Sequence, residues 1–329
     1  MKSNVFEWVR PALFAAVAGA ALLSACGGGE QAETFRANRV LAFGDETSFI
    51  DTDHSKYSVN AVQFADNTQL DCSSNPIWIQ TVAAVYGLVF PECNLLPVES
   101  PVSRIYATVG ARVAGIEAQV NRHIASGGFT SKDIVTMLVG ANDILDQYAQ
   151  YPDVPEEQLT INVEQAGAVL AAQVNRIANL DAKVLLSTTP DMGYTPFALT
   201  EEAANPGRAA LLSRLSARFN AKLRANIMND GRKIGLIKLD EYVSGVAKAR
   251  LAGGGIFVNT TLAACLPTSP LPSCTTQTLG TDAAAVPPPA TPTVADGITW
   301  LWADATHLSA GGHISLGSLA VTRALNNPF

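Results

Sequence analysis

Four short apolar runs, each stopping at a polar turn, constrain this chain more than any other feature. Arg39 to Phe43 (RVLAF) runs into Gly44-Asp45, and Ile134 to Val139 (IVTMLV) into Gly140-Ala141-Asn142-Asp143. Lys183 to Ser187 (KVLLS) ends at Thr188-Thr189-Pro190-Asp191, and Ile234 to Leu239 (IGLIKL) at Asp240. Continuous apolar runs without polar alternation are expected of parallel strands covered on both faces. Between them, Val163, Ala166, Leu170, Val174 and Ile177 recur three or four apart within 159–180. Leu211, Leu215, Phe219 and Leu223 do the same within 208–228, and the stretch after Gly311 is also helical. Strand–helix alternation predicts a three-layer α/β/α sandwich with a parallel sheet. In such sheets ligands bind beyond the carboxyl ends of the strands, where these polar turns gather.

Two segments break the rhythm. Residues 51–104 are polar and hold Cys72 and Cys93, and they read as an insertion bordering the cleft. Residues 252–297 hold Cys265, Cys274 and a proline run, and they read as a long connection with little regular structure. Residues 1–25 read as an export signal: Lys2 and Arg10 bracket a polar start, Pro11 to Leu23 is almost wholly apolar, and Leu23-Ser24-Ala25-Cys26 closes it. That ending resembles the bacterial lipobox, whose cysteine is lipidated. By this resemblance Cys26 is the lipidated N-terminus, 26–38 a flexible tether, 39–329 a single domain, and the location the outer membrane. In an exported chain the four remaining cysteines read as disulfides, most simply Cys72–Cys93 and Cys265–Cys274 among three pairings. No metal and no cofactor is expected; zinc would want tighter spacing and partnering histidines. The net charge of −7, with no basic run to offset it, argues against a nucleic-acid partner. Apart from the anchor, a polytopic membrane protein is excluded, because no uninterrupted apolar stretch of about 20 residues occurs.

The polar turns compare as a set with a known family. Gly44-Asp45 on the first turn, Gly110 on the second, Gly140-Ala141-Asn142-Asp143 on the third and Asp304-Ala305-Thr306-His307 near the C-terminus resemble the blocks of the SGNH hydrolases, also called GDSL lipases and esterases. Thr189-Pro190-Asp191-Met192-Gly193 and Phe219-Asn220 add to the likeness, which spans 39–323. Leu308 stands where the family usually has proline. The resemblance implies a flavodoxin-like sandwich and ester hydrolysis through an acyl-enzyme. It implies His307 as base, Asp304 as its orienting acid, and an oxyanion hole from the backbone N–H of residue 46, the Gly110 N–H and the Asn142 amide.

At the nucleophile position the pattern departs: where the family has Gly-Asp-Ser, this chain has Gly44-Asp45-Glu46. The attacking hydroxyl is gone. A carboxylate beside His307 favours imidazolium, which is no base, and sets negative charge where the oxyanion must develop. Three escapes stay open: a displaced hydroxyl from Ser48 or Thr47, Glu46 as a carboxylate nucleophile, or Glu46 as an activator of water. Two functions follow. One is a cell-envelope hydrolase of carboxylic or lipid acyl esters with altered nucleophile chemistry; the other is a catalytically silent member that binds a small ligand or partner in the retained cleft. Among the remaining candidates, His123 reads as a surface residue, His54 as part of a solvated loop and His313 as a packing residue. Trp300 and Trp302 line an acyl pocket or belong to the core.

Overall fold

A computed structural model describes residues 35–329, apart from 96, 286, 287, 289 and 328. Cys26, the export signal and all but the last part of the tether therefore lie outside the described residues. In chain order the elements are β1 (Arg39–Gly44), β2 (Ala61–Val62), β3 (Leu70–Asp71), α1 (Trp78–Val85), β4 (Arg104–Ile105), α2 (Val113–Ala125), β5 (Asp133–Leu138), α3 (Ala141–Tyr148), α4 (Glu156–Asn179) and β6 (Lys183–Ser187). Then follow α5 (Pro196–Ala204), α6 (Arg208–Asn226), β7 (Ile234–Ile237), α7 (Leu239–Leu251), β8 (Asn259–Ala263), β9 (Trp300–Trp302) and α8 (Ala310–Asn326).

Five strands form one parallel sheet in the order β4-β1-β5-β6-β7. The four apolar runs of the sequence are its four inner and right-hand members. They are buried on both faces because side chains alternate across a strand: Leu41, Phe43, Val135, Met137, Val184 and Leu186 share one core with the inner faces of α2, α4 and α6. On the opposite face α8 packs against α1, β6 and β7. The three-layer sandwich is thus the observed fold.

Register places the site. Gly44 is opposite Leu138, so β1 and β5 finish level and the turns after them emerge side by side. On the other flank of β1, β4 pairs at Ile105 with Ala42, which brings the segment after it past the same end of the sheet.

The two irregular segments differ from expectation. Part of 51–104 is architecture rather than insertion: α1 supplies a sandwich helix and β4 begins at its last residue. Part of 252–297 is likewise ordered, since β8 pairs in parallel with β9. Around that pair Val59, Ala264, Cys265, Cys274, Ala295, Trp300 and Ala303 form a second, smaller core. Both local disulfides are present, Cys72–Cys93 and Cys265–Cys274. Trp300 and Trp302 are buried, so they belong to the core and not to an acyl pocket. Among the described residues no helix is long and apolar enough to cross a membrane.

Candidate active site

The turn after β1 is a tight construction. Gly44 has φ +129°, and a Cβ there would lie 1.9 Å from the Leu138 carbonyl oxygen. Only glycine admits both the dihedral and the approach. Its backbone is clamped by the buried Gln119 of α2, whose Oε1 accepts the Gly44 N–H at 2.9 Å and whose Nε2 donates to the Gly44 carbonyl at 2.8 Å. Asp45 then caps a single 3-10 turn, Glu46–Ser48, by accepting the Thr47 N–H at 3.0 Å. That turn aims the side chain of Glu46 across the end of the sheet.

What Glu46 meets there is the whole set of partners that the family resemblance implied. Its Oε2 accepts the Gly110 N–H at 2.7 Å, and the Asn142 amide donates to Oε1 and Oε2 at 3.2 and 3.3 Å. Its Oε1 faces His307 Nε2 at 3.1 Å. On the far side of the ring, Nδ1 is 2.9 Å from both oxygens of Asp304. Asp304 also accepts the backbone N–H of Thr306 at 2.9 Å and of His307 at 2.7 Å, so one carboxylate fixes both the loop and the imidazole. The Tyr57 ring lies beside the imidazole, its centroid 5.9 Å from that of His307.

Each donor is held by its own support. Asn142 lies in the first turn of α3 rather than in an open turn, and its amide also donates to the Ala111 carbonyl at 3.1 Å. Asp143 accepts the Val113 N–H at 3.0 Å, tying α3 to the start of α2 just beyond Gly110. At Gly140, φ is +130°, and a Cβ would collide with the Phe219 ring at 2.5 Å and with Thr189 Oγ1 at 2.6 Å. Asn220 holds Thr189 in place, accepting its N–H at 3.1 Å and donating to its carbonyl at 2.8 Å. Thr189 and Phe219-Asn220 thus support the third turn, and Thr189 also lines the cleft that holds Glu46 and His307.

The electrostatics follow from this packing. Burial alone pushes the Glu46 carboxyl up, but the hydrogen bond and charge of His307, its own backbone N–H and that of Gly110 outweigh it and leave it below the usual range. Asp304 behaves alike: burial raises it, and the His307 ring with two backbone N–H groups brings it below normal. Burial lowers His307, yet the hydrogen bonds and charges of Asp304 and Glu46 carry it up to about 10. Asp45, buried and beside the negative Glu46, is raised to about 7. At neutral pH the centre is therefore an imidazolium between two carboxylates.

That arrangement has a definite chemical meaning. Oε1 sits where a serine hydroxyl would meet its base, Oε2 takes the Gly110 N–H, and the Asn142 amide is shared between the two, so the donors that would hold an oxyanion are turned on the carboxylate. Glu46 thus occupies the hole and the histidine together. The hydroxyl of Ser48 does not replace it: Ser48 is fully buried and accepts the Trp78 indole N–H at 3.0 Å. Thr47 does line the cleft, together with Leu138, Val139, Leu145, Pro190, Leu239 and Leu308.

The other histidines lie elsewhere. His123 is buried, not on the surface; its Nδ1 meets the Tyr106 hydroxyl at 2.9 Å and its ring packs 4.4 Å from that of Phe129. Its spacing from Ile116, Gln119 and Val120 puts it on the inner face of α2, which the polar neighbours had masked. His313 packs inside α8 near the Trp78 N–H, and His54 pairs with the Glu92 carbonyl. Gln119 went unremarked in the sequence, although a polar residue at a core position of an amphipathic helix was the available signal. Among the described residues no group of three or more His, Cys, Asp or Glu is placed to hold a metal.

The family described as GDSL-like Lipase/Acylhydrolase matches residues 78–318. The matched span begins downstream of the Gly44-Asp45-Glu46 turn. No curated protein matches the chain. Among solved structures it is similar to the lipase Lip_vut3 from a goat rumen metagenome, at 12% identity over 87% of this chain and 97% of that one, with a TM-score of 0.47. It is similar also to Axe2, an acetylxylan esterase from Geobacillus stearothermophilus, at 12% identity over 89% of this chain and 96% of that one, with a TM-score of 0.44.

Proposed function

This chain belongs to the GDSL-like lipase/acylhydrolase family, and from that premise we propose that it is a cell-envelope member of this ester-hydrolase family whose cleft takes carboxylic esters and whose serine-type acyl transfer is closed by Glu46. One observation carries the proposal: the Glu46 carboxylate accepts the Gly110 N–H at 2.7 Å and faces His307 Nε2 at 3.1 Å. An ester carbonyl entering the hole must displace a resident anion, and the base beside it already holds its proton. Loss of the nucleophilic serine alone costs about six orders of magnitude in turnover in subtilisin. The cleft then serves to bind an ester or a related small ligand.

A second reading is favoured by the intact Asp304–His307 pair. Glu46 would attack the acyl carbon, expelling the alkoxide to which the His307 imidazolium gives its proton, and water, handing one proton back to the neutral His307, would cleave the mixed anhydride to regenerate the carboxylate and release the acid. Hydrolysis of p-nitrophenyl acetate and butyrate by the full chain separates the readings. Under the first, wild type is inert, Glu46→Ser gains turnover, and His307→Ala in that background removes it. Wild-type turnover that vanishes in Glu46→Ala supports the carboxylate route instead.

The envelope location rests on the sequence of residues 1–26 and on the paired cysteines, which suit an oxidising compartment. Mass spectrometry of the mature N-terminus tests it: a diacylglyceryl modification on Cys26 is expected, and an unmodified N-terminus that retains or lacks Cys26 contradicts it.

A further inference from the structure

The segment from Lys56 to Asn60 runs beside the reacting centre without belonging to its hydrogen-bonded chain. Its Tyr57 ring leans on the imidazole of His307, with 5.9 Å between centroids and a tilt of 54°. The next residue, Ser58, is fully buried and donates from Oγ to the Leu308 carbonyl at 3.1 Å. Two consecutive residues thus touch two consecutive residues of the loop that carries His307. Asp304 grips the ring through Nδ1, so a neighbour packed beside the ring is what limits its swing about that attachment.

This segment has little regular structure and is suspended between the two disulfide loops. At one end Lys56 is fully buried, and its ammonium donates to the carbonyls of Cys72, Ser74 and Asn75 at 3.0, 3.0 and 2.8 Å. Burial lowers Lys56 to about 8, against the opposing charge of Asp71, so at neutral pH all three donors are present. Asn75 returns the grip, its amide donating to the Val59 carbonyl at 3.1 Å. At the other end Asn60 is buried too; its amide donates to the Pro272 carbonyl at 2.8 Å and its backbone N–H to that of Cys274 at 3.0 Å. The same side chain closes the segment on itself, Oδ1 accepting the Lys56 N–H at 2.9 Å and Nδ2 donating to the Lys56 carbonyl at 3.0 Å. An ammonium among neutral carbonyls is costly to desolvate, and a hydrocarbon side chain would fill the same place at less cost. What the charge adds is three directional bonds onto one loop.

We infer that Lys56 and Asn60 are positioning residues of the reacting centre: they carry the hold of the loops closed by Cys72–Cys93 and Cys265–Cys274 onto Tyr57 and Ser58, which fix His307 and Leu308. The placement of the imidazole in an otherwise folded sandwich therefore depends on both crosslinked loops. This goes beyond the ester reading and holds whether the centre turns over or only binds.

Nuclear Overhauser contacts between the Tyr57 ring protons and the His307 Cε1–H, measured on the full chain, read the arrangement directly. Wild type is expected to show them. Lys56→Met, Asn60→Ala and the paired change Cys72→Ala with Cys93→Ala are each expected to lose them. In the same variants the Gly44 N–H, clamped by Gln119, is expected to keep its protection from hydrogen exchange. Contacts that survive in Lys56→Met or in Asn60→Ala overturn the role of that residue. Loss of Gly44 protection together with the contacts in every variant also overturns the inference, because that is general unfolding and not positioning. A kinetic arm in the Glu46→Ser background rests on the ester reading. Adding Lys56→Met there is expected to lower kcat for p-nitrophenyl acetate by about ten- to a hundredfold, the cost of a misplacement of up to about 1 Å, with KM held within about twofold. An unchanged kcat contradicts the positioning role, whereas an inert Glu46→Ser chain counts against the ester reading and leaves the Overhauser contacts to decide.

Discussion

The reacting centre and the groove between α5, with Phe197 and Leu199, and β8, with Ala263, differ in what faces their interior. At the reacting centre every donor aimed at an ester oxygen is met by the carboxylate of Glu46. In the groove the walls are apolar side chains on a helix and a stapled loop. The first region depends on a single residue at the tip of a turn; the second is distributed over two elements and a disulfide. A change at position 46 therefore alters the reacting centre without moving the walls of the groove.

The largest effect expected from breaking that contrast is chemical. Glu46→Ser restores a hydroxyl before an existing base, orienting acid and oxyanion hole, so turnover of p-nitrophenyl butyrate should rise by roughly three orders of magnitude or more over wild type. Removal of Asn142 in that background, as Asn142→Ala, should lower the restored turnover by about a hundredfold, the usual loss for one oxyanion donor.

Next comes the frame of the turn. Gly44→Ala places a methyl against the Leu138 carbonyl at a positive φ, whereas a methyl at Gly110, with φ +68°, meets open space. Urea unfolding should show Gly44→Ala costing about 3 kcal/mol or more, against about 1 kcal/mol for Gly110→Ala. Similar costs at the two positions would mean that the close approach of β1 and β5 is looser than described.

A smaller effect concerns pH. His307 rises from an ordinary 6.5 to about 10 in the folded chain, so its contribution is complete below 6.5 and is lost as pH climbs towards 10. Asp45, raised to about 7, works in the same direction over lower pH. Glu46 and Asp304 are lowered, so their contributions are present above about 4.5 and fade as pH falls. The urea midpoint should thus decline between pH 6.5 and 10, and Glu46→Gln should flatten that decline. The smallest effect is expected at Arg112, whose pairing with Asp146 is exposed; Arg112→Ala should change stability by less than about 1 kcal/mol.

Much of this was legible in the sequence because the sheet is buried on both faces. Arg39–Gly44, Asp133–Leu138 and Lys183–Ser187 stand out as strands precisely where polar alternation is missing. The site residues Glu46, Gly110, Asn142, Asp304 and His307 were named by their place at strand ends and by family likeness, and the fold brings all five within hydrogen-bonding contact. What escaped was support that depends on tertiary packing. Gln119 is one polar residue on an apolar helix face, and nothing local says that it clamps Gly44 from 75 positions away. Lys56 is fully buried and donates to the carbonyls of Cys72, Ser74 and Asn75, a cluster that exists only once the first disulfide loop has closed. The groove was invisible for the same reason: α5 and Ala263 become neighbours only through the sandwich and the β8–β9 pair.

The account turns on the charge of one ring, which nuclear magnetic resonance reads directly. The chain has four histidines, and the Cε1–H signal of His307 is assigned by its loss in His307→Ala. Followed from pH 5 to 10.5, that signal should stay at the imidazolium position through neutrality and titrate near 10 in wild type, and well below that in Glu46→Gln. A wild-type His307 already neutral at pH 7, or a titration unchanged by Glu46→Gln, would contradict the claim that the Glu46 carboxylate occupies the centre.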